Sequence, residues 1–331
     1  MSDKTPIALF GDTGMVGQEI ERVLQHHDRV EIGYRQNSSR QEGDLDKCPI
    51  AFLATKDPES MAFAPDLVKA GKRVIDMSGA FRLTKELFES GYGMDHTATE
   101  LLDDAVYGMP AIHSSEIAGA NVVGTPGCYP TSVILPLKPL AGLVEGEATV
   151  VSTSGISGAR REVGDADNEV TYSFGRKHKH VPEMELYSGF RVNFTPIVLH
   201  SVFVGINTNI RTALADALKH VSDEEAVSTI QSQIRSAYTA DDLVDVVEDT
   251  ADKLWGTADV NGTHRLLVKV RVDEGHAYIN ALEDNLGKGA ASQGVENMNL
   301  MLGLDRLHGI DTVYRTEFED RDIEDRRKEY C

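Results

Sequence analysis

The sequence predicts an α/β fold made of a Rossmann-type domain with a parallel sheet and a second, α+β domain with a mostly antiparallel sheet. Apolar β-type runs alternate with helical patterns as far as residue 127, which is typical of a parallel sheet covered by helices. After residue 128, longer extended segments follow one another, as antiparallel strands do. We therefore expect one domain from residues 1–127, completed by a C-terminal helix in residues 285–331, and a second from residues 128–284.

Composition excludes several classes of protein. The 331 residues are 41% hydrophobic and 26% charged, which describes a globular chain long enough for two domains. A net charge of −20 would repel nucleic acid and anionic lipid, so we expect neither as a partner. No apolar run approaches the ~20 residues that cross a bilayer. Three widely spaced cysteines, Cys48, Cys128 and Cys331, favour a reducing, cytoplasmic location over a disulfide framework.

The first element is a strand at Pro6–Phe10, followed by a glycine-rich turn and a helical pattern. The glycines fit G-x-x-G-x-x-G, a variant of the dinucleotide fingerprint, although such turns also serve packing alone. Where this fingerprint binds a dinucleotide, the phosphates of the dinucleotide lie at the N-terminus of the helix. The candidate cofactor contacts in this turn are Gly11, Thr13, Gly14, Met15, Val16 and Gly17.

A second strand, Val30–Tyr34, ends without the carboxylate that binds the ribose 2′-hydroxyl of NAD. Hydroxyl and guanidinium groups follow it, which suits the 2′-phosphate of NADP, although arginines in a loop are often merely solvated. We therefore predict NADP as the cofactor, with contacts from Arg35, Ser38, Ser39 and Arg40.

Two further strands, Ile50–Ala54 and Arg73–Met77, flank a helix at Pro58–Ala70. Ligands of open α/β sheets bind beyond the carboxyl ends of the strands. The small or polar residues at those two ends are further candidate cofactor contacts, namely Thr55, Ser78 and Gly79.

Cys128 is the candidate nucleophile. The run Asn121–Gly124 resembles a strand end, Pro126 and Gly127 favour a turn, and Pro130 suits the first position of a helix. A thiol at a helix N-terminus has a lowered pKa, which populates the thiolate. The alternative is a buried, inert cysteine.

The second domain is predicted from extended segments and one clear helix. The predicted helix spans Asp223–Ala237. The predicted strands are Thr149–Thr153, Pro196–Asn207, Leu266–Val272 and Tyr278–Leu282.

His178 and His180 are the candidate acid–base residues. Two residues apart on an extended chain, they would share one face, and an imidazole titrates near neutral pH. Glu183 could orient one imidazole. A basic surface loop or a zinc pair are the alternatives, but Cys128 lacks the neighbouring ligands of a tetrahedral site, so no metal is expected.

Two segments could hold an anion. Residues 154–161 follow a predicted strand with small residues, hydroxyls and two arginines, and Arg82 follows another strand end. Each arginine alone could equally form a surface salt bridge. The candidate substrate or phosphate contacts are Arg82, Ser157, Gly158 and Arg160.

These motifs together resemble the N-acetyl-γ-glutamyl-phosphate reductase family of the aspartate-semialdehyde dehydrogenase superfamily. The likeness runs from Gly11 to about Leu304 and is most specific in four segments. They are Pro-Gly-Cys-Tyr-Pro-Thr (126–131), Ser-Gly-Ile-Ser-Gly (154–158), His-Lys-His-Val-Pro-Glu (178–183) and Asp-Asn-Leu-Gly-Lys-Gly-Ala-Ala (284–291).

The resemblance implies an enzyme with a semialdehyde dehydrogenase-like fold that reduces an acyl phosphate with NADPH through a thioester on Cys128, in arginine biosynthesis. It implies acid–base work by His180, with His178 as the alternative and Glu183 as orienter. Asn285 would lie beside the nicotinamide, while Arg82, Ser157 and Arg160 would contact substrate or phosphate. Relatives assemble through the second domain, so a homodimer or homotetramer is expected.

Several positions depart from the family pattern. Thr125, Ala111 and Ala159 replace its usual Asn, Glu and Gly, and Pro196–Val202 lacks its usual arginine and glycine. An aminoadipyl or aspartyl phosphate therefore fits the same residues. A water-using aldehyde dehydrogenase and a catalytically silent NADP-sensing module are the remaining alternatives.

Overall fold

The computed structural model describes residues 4–159 and 168–310. Within that part the chain divides into two compact units. Unit 1 holds residues 4–127 and 290–310, and unit 2 holds residues 128–159 and 168–289.

Unit 1 is built on one sheet with the strand order β3-β2-β1-β4-β5-β7-β6, parallel throughout except for the β2–β3 pair. Its strands are β1 (Thr5–Phe10), β2 (Val30–Gln36), β3 (Gln41–Gly43), β4 (Ile50–Leu53), β5 (Arg73–Asp76), β6 (Ala105–Tyr107) and β7 (Val122–Gly124). Its helices are α1 (Met15–Leu24), α2 (Asp57–Lys69), α3 (Lys85–Tyr92), α4 (Pro110–Gly119) and, late in the chain, α8 (Ser292–Met301).

Both faces of this sheet are buried, which explains why β1 is apolar at successive positions. Ile7 and Leu9 pack into one hydrophobic cluster, whereas Ala8 and Phe10 pack into another. The first cluster includes Val295 of α8, so the last helix of the described chain completes the core of unit 1.

Hydrogen bonds fasten the segment around α8 within unit 1. Nδ2 of Asn299 donates to the carbonyls of Arg306 and His308, and its Oδ1 lies 3.0 Å from Nε2 of His27. The guanidinium of Arg73 donates to the carbonyls of Ala120 and Met301. Residues 311–331, the rest of the predicted C-terminal helical segment, lie outside the described residues.

Unit 2 is built on a second sheet with the order β12-β13-β14-β11-β8-β10-β9. The β8–β10 and β12–β13 pairs are parallel, and the other pairs are antiparallel. The elements are α5 (Cys128–Leu137), β8 (Val144–Gly155), β9 (Glu169–Thr171), α6 (Val181–Ser188), β10 (Arg191–Leu199), β11 (Ile206–Leu214), α7 (Asp223–Ala237), β12 (Val244–Val246), β13 (Leu266–Asp273) and β14 (His276–Glu283). The predicted fold class is confirmed.

The two faces of the second sheet differ in burial. On β8, Ala148 and Val150 are buried on the face that α5 also contacts through the neighbouring strands, whereas Thr149 and Val151 on the opposite face are exposed. This alternation is expected of a sheet that helices cover on one side.

Three local predictions are wrong. The segment Pro196–Asn207 is not one strand, because a turn after Leu199 separates β10 from β11. Helix α5 begins at Cys128 and not at Pro130, which occupies the third helical position, where a proline still removes no intrahelical bond. The pair His178 and His180 lies in turns before α6 and not on an extended chain.

Candidate active site and cofactor site

The glycine-rich turn between β1 and α1 requires glycine at two positions. Gly11 has φ +82°, and a Cβ on it would lie 2.3 Å from the Ala54 carbonyl oxygen. A Cβ on Gly17 would lie 2.3 Å from the Gly11 oxygen. Gly14 precedes α1 in an extended conformation, and the first turn of α1, which contains Met15 and Val16, carries no acidic residue. After the exposed Thr13, this helix N-terminus therefore fits the phosphates of a dinucleotide.

The loop after β2 is tied to the glycine-rich turn by Asp12. The buried Asp12 carboxylate forms an ion pair with Arg40 and accepts a hydrogen bond from Asn37 Nδ2 at 2.8 Å. Burial alone would raise the pKa of Asp12, but the Arg40 and Asn37 contacts hold it below its usual value. The exposed Ser39 bonds to Asn37 through its backbone N–H and its hydroxyl, next to the exposed Ser38.

Arg35 and Arg40 thus lie near each other with carboxylate partners. Arg35 Nε donates to Glu21 Oε1 at 2.8 Å, and Arg40 keeps 49% of its side chain exposed while paired. The predicted arginine and serine cluster therefore follows β2 at the edge where the glycine turn also lies. The Asp12 partnership was not predicted, because the two residues are 28 positions apart and no local pattern links them.

The residues after β4 and β5 lie at the same edge of the parallel sheet. Thr55 Oγ1 lies 2.9 Å from Ser60 Oγ, and the backbone N–H of Gly79 donates to Asp57 Oδ1 at 2.6 Å. Ser78 donates twice to Asp76, whose pKa is raised by complete burial. Unit 1 therefore brings the predicted cofactor contacts of four strand ends together where open α/β sheets bind ligands.

Arg82 is buried and bonded to backbone carbonyls within unit 1. Its Nε donates to the Thr125 oxygen at 2.6 Å, and Nη2 donates to the Met77 oxygen at 3.1 Å. The guanidinium therefore joins the end of β5 to the segment that precedes Cys128 in sequence. This bracing contact was not predicted.

Cys128 is half-buried and opens α5. Its neighbour Tyr129 is fully buried, and the Tyr129 ring contacts both histidine rings, with centroids 5.6 Å from His178 and 6.3 Å from His180. The two imidazoles are 4.8 Å apart at an angle of 70°. Unit 2 therefore collects the histidine pair beside the residue that follows the candidate nucleophile.

The histidines differ in what they can do chemically. Burial, with a smaller effect from Lys179, lowers the pKa of His178 to about 3, so this imidazole is neutral at physiological pH. The backbone N–H of His180 donates to Nδ1 of His178 at 3.2 Å, which places the His178 proton on Nε2. Glu183 lies in the first turn of α6 and is fully buried.

Asn285 and Ser157 contact each other, although the sequence predicted separate roles for them. Asn285 Nδ2 donates to Ser157 Oγ at 3.0 Å, and its Oδ1 accepts the backbone N–H of Gly205 at 2.8 Å. A Cβ on Gly158 would lie 3.6 Å from Asn285 Nδ2, so this glycine borders the same cluster. Arg160 lies outside the described residues.

Glu283 was missed by sequence reasoning. It is the last residue of β14, it is fully buried, and neither of its carboxyl oxygens has a hydrogen-bond partner among the residues that the structure describes. Only one signal was available, a carboxylate at a position where the strand alternation predicts a side chain on the covered face.

Comparison with known sequences identifies both units. A family described as the semialdehyde dehydrogenase NAD-binding domain matches residues 35–120, and one described as the semialdehyde dehydrogenase dimerisation domain matches residues 128–285. N-acetyl-γ-glutamyl-phosphate reductase of Thermus thermophilus is 34% identical, over 90% of this chain and 96% of the relative. The chain belongs to the N-acetyl-γ-glutamyl-phosphate reductase family. The reductase of the same name from Acinetobacter baylyi is also 34% identical, over 92% of this chain.

Solved structures agree on the fold of this family member. Aspartate semialdehyde dehydrogenase II of Vibrio cholerae matches with a TM-score of 0.69 at 19% identity, over 91% of this chain and 99% of that one. The Candida albicans enzyme, solved with NADP, matches with a TM-score of 0.67 at 17% identity. In the described part of this chain, no helix combines the length and apolar content needed to span a membrane.

Proposed function

We propose that this chain reduces N-acetyl-L-glutamyl 5-phosphate with NADPH to the 5-semialdehyde and phosphate, through a thioester on Cys128. This reaction is the one that the relatives' name describes, and it belongs to arginine biosynthesis. The observation that carries the proposal is Cys128 at the first position of α5, with two buried histidines packed around its neighbour Tyr129. A reactive thiol needs a reducing compartment, so we expect the reaction in the cytoplasm.

The first half-reaction uses the nucleophile and the start of α5. Cys128 Sγ attacks the acyl carbon, the carbon–sulfur bond forms, and the bond to the phosphate oxygen breaks. Because α5 begins at Cys128, the positive end of its helix dipole lies at the nucleophile and stabilises the oxyanion that forms in this step.

His180 is the acid–base residue in this proposal, because His178 stays neutral at physiological pH. His180 delivers a proton to the departing phosphate oxygen, whose release as a trianion would be costly. His178 fixes the backbone at His180 by accepting its N–H. We assign the buried Glu183, in the first turn of α6, the role of orienting the imidazole of His180. Ser157, Gly158, Arg160 and Arg82 assist in binding the substrate.

The glycine-rich turn and the edge after β2, β4 and β5 hold the cofactor, and Asn285 contributes to the nicotinamide region. When bound, NADPH supplies the hydride that reduces the thioester to the aldehyde. We assign residues 1–127 and the C-terminal segment from 285 to this role, and residues 128–284 to catalysis.

Arg40 is expected to select NADP over NAD. The Arg40→Met variant should raise the KM for NADP about 10-fold or more, the size of a lost charge-assisted hydrogen bond, and leave the KM for NAD unchanged. Steady-state kinetics with both cofactors measure this. Arg191→Met, which removes an exposed arginine paired with Glu147 in unit 2, is the matched control. Equal changes for both cofactors would contradict the assignment.

We also propose that unit 2 forms a homo-oligomer through the exposed face of its sheet, which is the face that carries Thr149 and Val151 of β8. The matched dimerisation domain supports assembly through unit 2, and the choice of this face is supported by Val151 and Tyr278, each 38% exposed on it. Asn280 Nδ2 donates to both Asn207 and Asn209 there, so the amide groups of adjacent strands are already ordered.

The test of this function runs the reaction backwards. Purified protein is mixed with NADP and a semialdehyde, and cofactor reduction is measured with phosphate, with arsenate and with neither. We expect reduction only with one of the anions, and fastest with the N-acetylglutamate semialdehyde. Turnover without either anion would indicate a water-using aldehyde dehydrogenase. NADP binding without turnover on glutamate, aminoadipate or aspartate semialdehydes would indicate a sensing module.

A further inference from the structure

Glu283 is an unusual side chain for its position. It ends β14, where its ladder partners are Ile206 of β11 and Leu266 of β13, neither of which titrates. It is fully buried, and within residues 4–159 and 168–310 both of its carboxyl oxygens lack hydrogen-bond partners. A buried carboxylate without hydrogen bonds is very costly, so such a group retains its proton.

The carboxyl lies beside the candidate nucleophile. A Cβ built on Gly289 would be 2.9 Å from Oε1 of Glu283 and 2.8 Å from Cβ of Cys128. Oε1 of Glu283 and Cβ of Cys128 therefore both lie against the backbone at Gly289, and the two side chains are near neighbours within unit 2. The strand alternation agrees, because Glu283 shares the face of Ile279 and Ala281, which α5 covers.

The charged groups around Glu283 do not neutralise a carboxylate there. Lys288 on the following turn favours the charged form, but its Nζ donates to the carbonyl of Asp242 at 2.9 Å. Asp284 opposes the charged form, and on α5 the titratable groups are Cys128, which lies beside Glu283 at Gly289, and Tyr129. Burial is the largest effect, and it raises the pKa of Glu283 well above its ordinary value.

We propose that Glu283 is a positioning residue that controls the charge beside Cys128, admitting an anionic electrophile to the thiolate while uncharged and repelling it once ionised. Ionisation breaks only the carboxyl O–H bond, and the proton passes to solvent. This inference rests on the proposed function, whose substrate carries a phosphate dianion. It adds an alkaline limit to the reaction of Cys128 with anionic electrophiles, which is separate from proton transfer by the histidines.

The test compares two alkylating reagents on Cys128. Iodoacetamide is neutral and iodoacetate is an anion, and both react with the thiolate, so the ratio of their rates cancels the thiolate population. Cys128 is half-buried, and its peptide is followed by mass spectrometry separately from those of Cys48 and Cys331. A unit charge that forms beside the sulfur changes such a ratio by about 10- to 100-fold.

We expect the iodoacetate to iodoacetamide ratio of the wild type to fall about 10-fold or more from neutral to alkaline pH. In Glu283→Gln the ratio stays constant. Glu145→Gln makes the same charge change at the far end of β8, about 30 Å from Glu283. The ratio of this control variant should fall as it does in the wild type. A flat wild-type ratio, or an equal fall in Glu283→Gln, overturns the proposal.

Glu283→Leu provides a second variant if the glutamine form is poorly folded. It should also keep a constant ratio, and it should melt at a higher temperature by about 2 °C or more, because an unsatisfied buried polar group is replaced by an apolar one. A leucine variant whose ratio falls as in the wild type overturns the proposal as well. Neither reagent requires substrate or cofactor. If the ratio falls in the wild type and stays constant in Glu283→Gln while the protein shows no reductase turnover, the proposed function alone is rejected.

Discussion

Replacing Cys128 with serine is expected to abolish phosphate-dependent reduction of NADP, with a loss of at least about 10⁴-fold in kcat. A hydroxyl at the start of α5 remains protonated at neutral pH, so no covalent acyl intermediate forms at a useful rate. Losses of this size follow removal of the nucleophile in covalent mechanisms. The assay is the semialdehyde, phosphate and NADP reaction with each purified variant.

The matched control for that loss is Cys48→Ala. Cys48 is buried in unit 1, where burial raises its thiol pKa, and its Sγ donates to the Asp44 carbonyl at 3.4 Å. Such a thiol is unreactive, so the alanine variant should keep its kcat and lose only some stability. Full activity in Cys128→Ser, or equal losses in both variants, contradicts the assignment of the nucleophile.

His180→Asn is expected to lower kcat by about 10²- to 10⁴-fold with a much smaller change in KM. This is the range of general acid–base catalysis, and an amide cannot exchange a proton with the leaving phosphate. Steady-state kinetics across pH measure the effect.

His178→Asn is the control that separates the two histidines. An asparagine oxygen can still accept the His180 N–H that Nδ1 of His178 now accepts, so the loop at His180 should hold. Because His178 is neutral at physiological pH, its loss should cost less than about 10-fold in kcat. The opposite ranking of the two variants would assign the acid–base role to His178.

The sequence predicted most of the fold because its signals are local. Alternating strands and helices define unit 1, and the Asp223–Ala237 helix has the predicted bounds. The errors arose where local preference does not decide the outcome. Proline suits several first-turn positions, so the start of α5 was placed two residues late. The segment Pro196–Asn207 mixes apolar and polar residues, and its sequence does not reveal the turn that divides it into two strands.

Within the candidate site, the sequence supplied the residue types but not their partners. Asp12 with Arg40 and Ser157 with Asn285 are contacts between distant segments, which chain topology sets. Glu283 was missed for the same reason, since only the fold shows that β14 ends beside Cys128. A charged residue at the end of a strand is ordinarily exposed to solvent, but Glu283 is fully buried.

The most direct test of the account is to trap the acyl-enzyme. Wild-type protein is mixed with N-acetylglutamyl phosphate without NADPH, and released phosphate and peptide masses are measured. We predict about one phosphate released per active site, with the acyl group on the peptide that contains Cys128 and none on Cys48. Phosphate release without an adduct on Cys128, or an adduct elsewhere, would contradict the thioester mechanism.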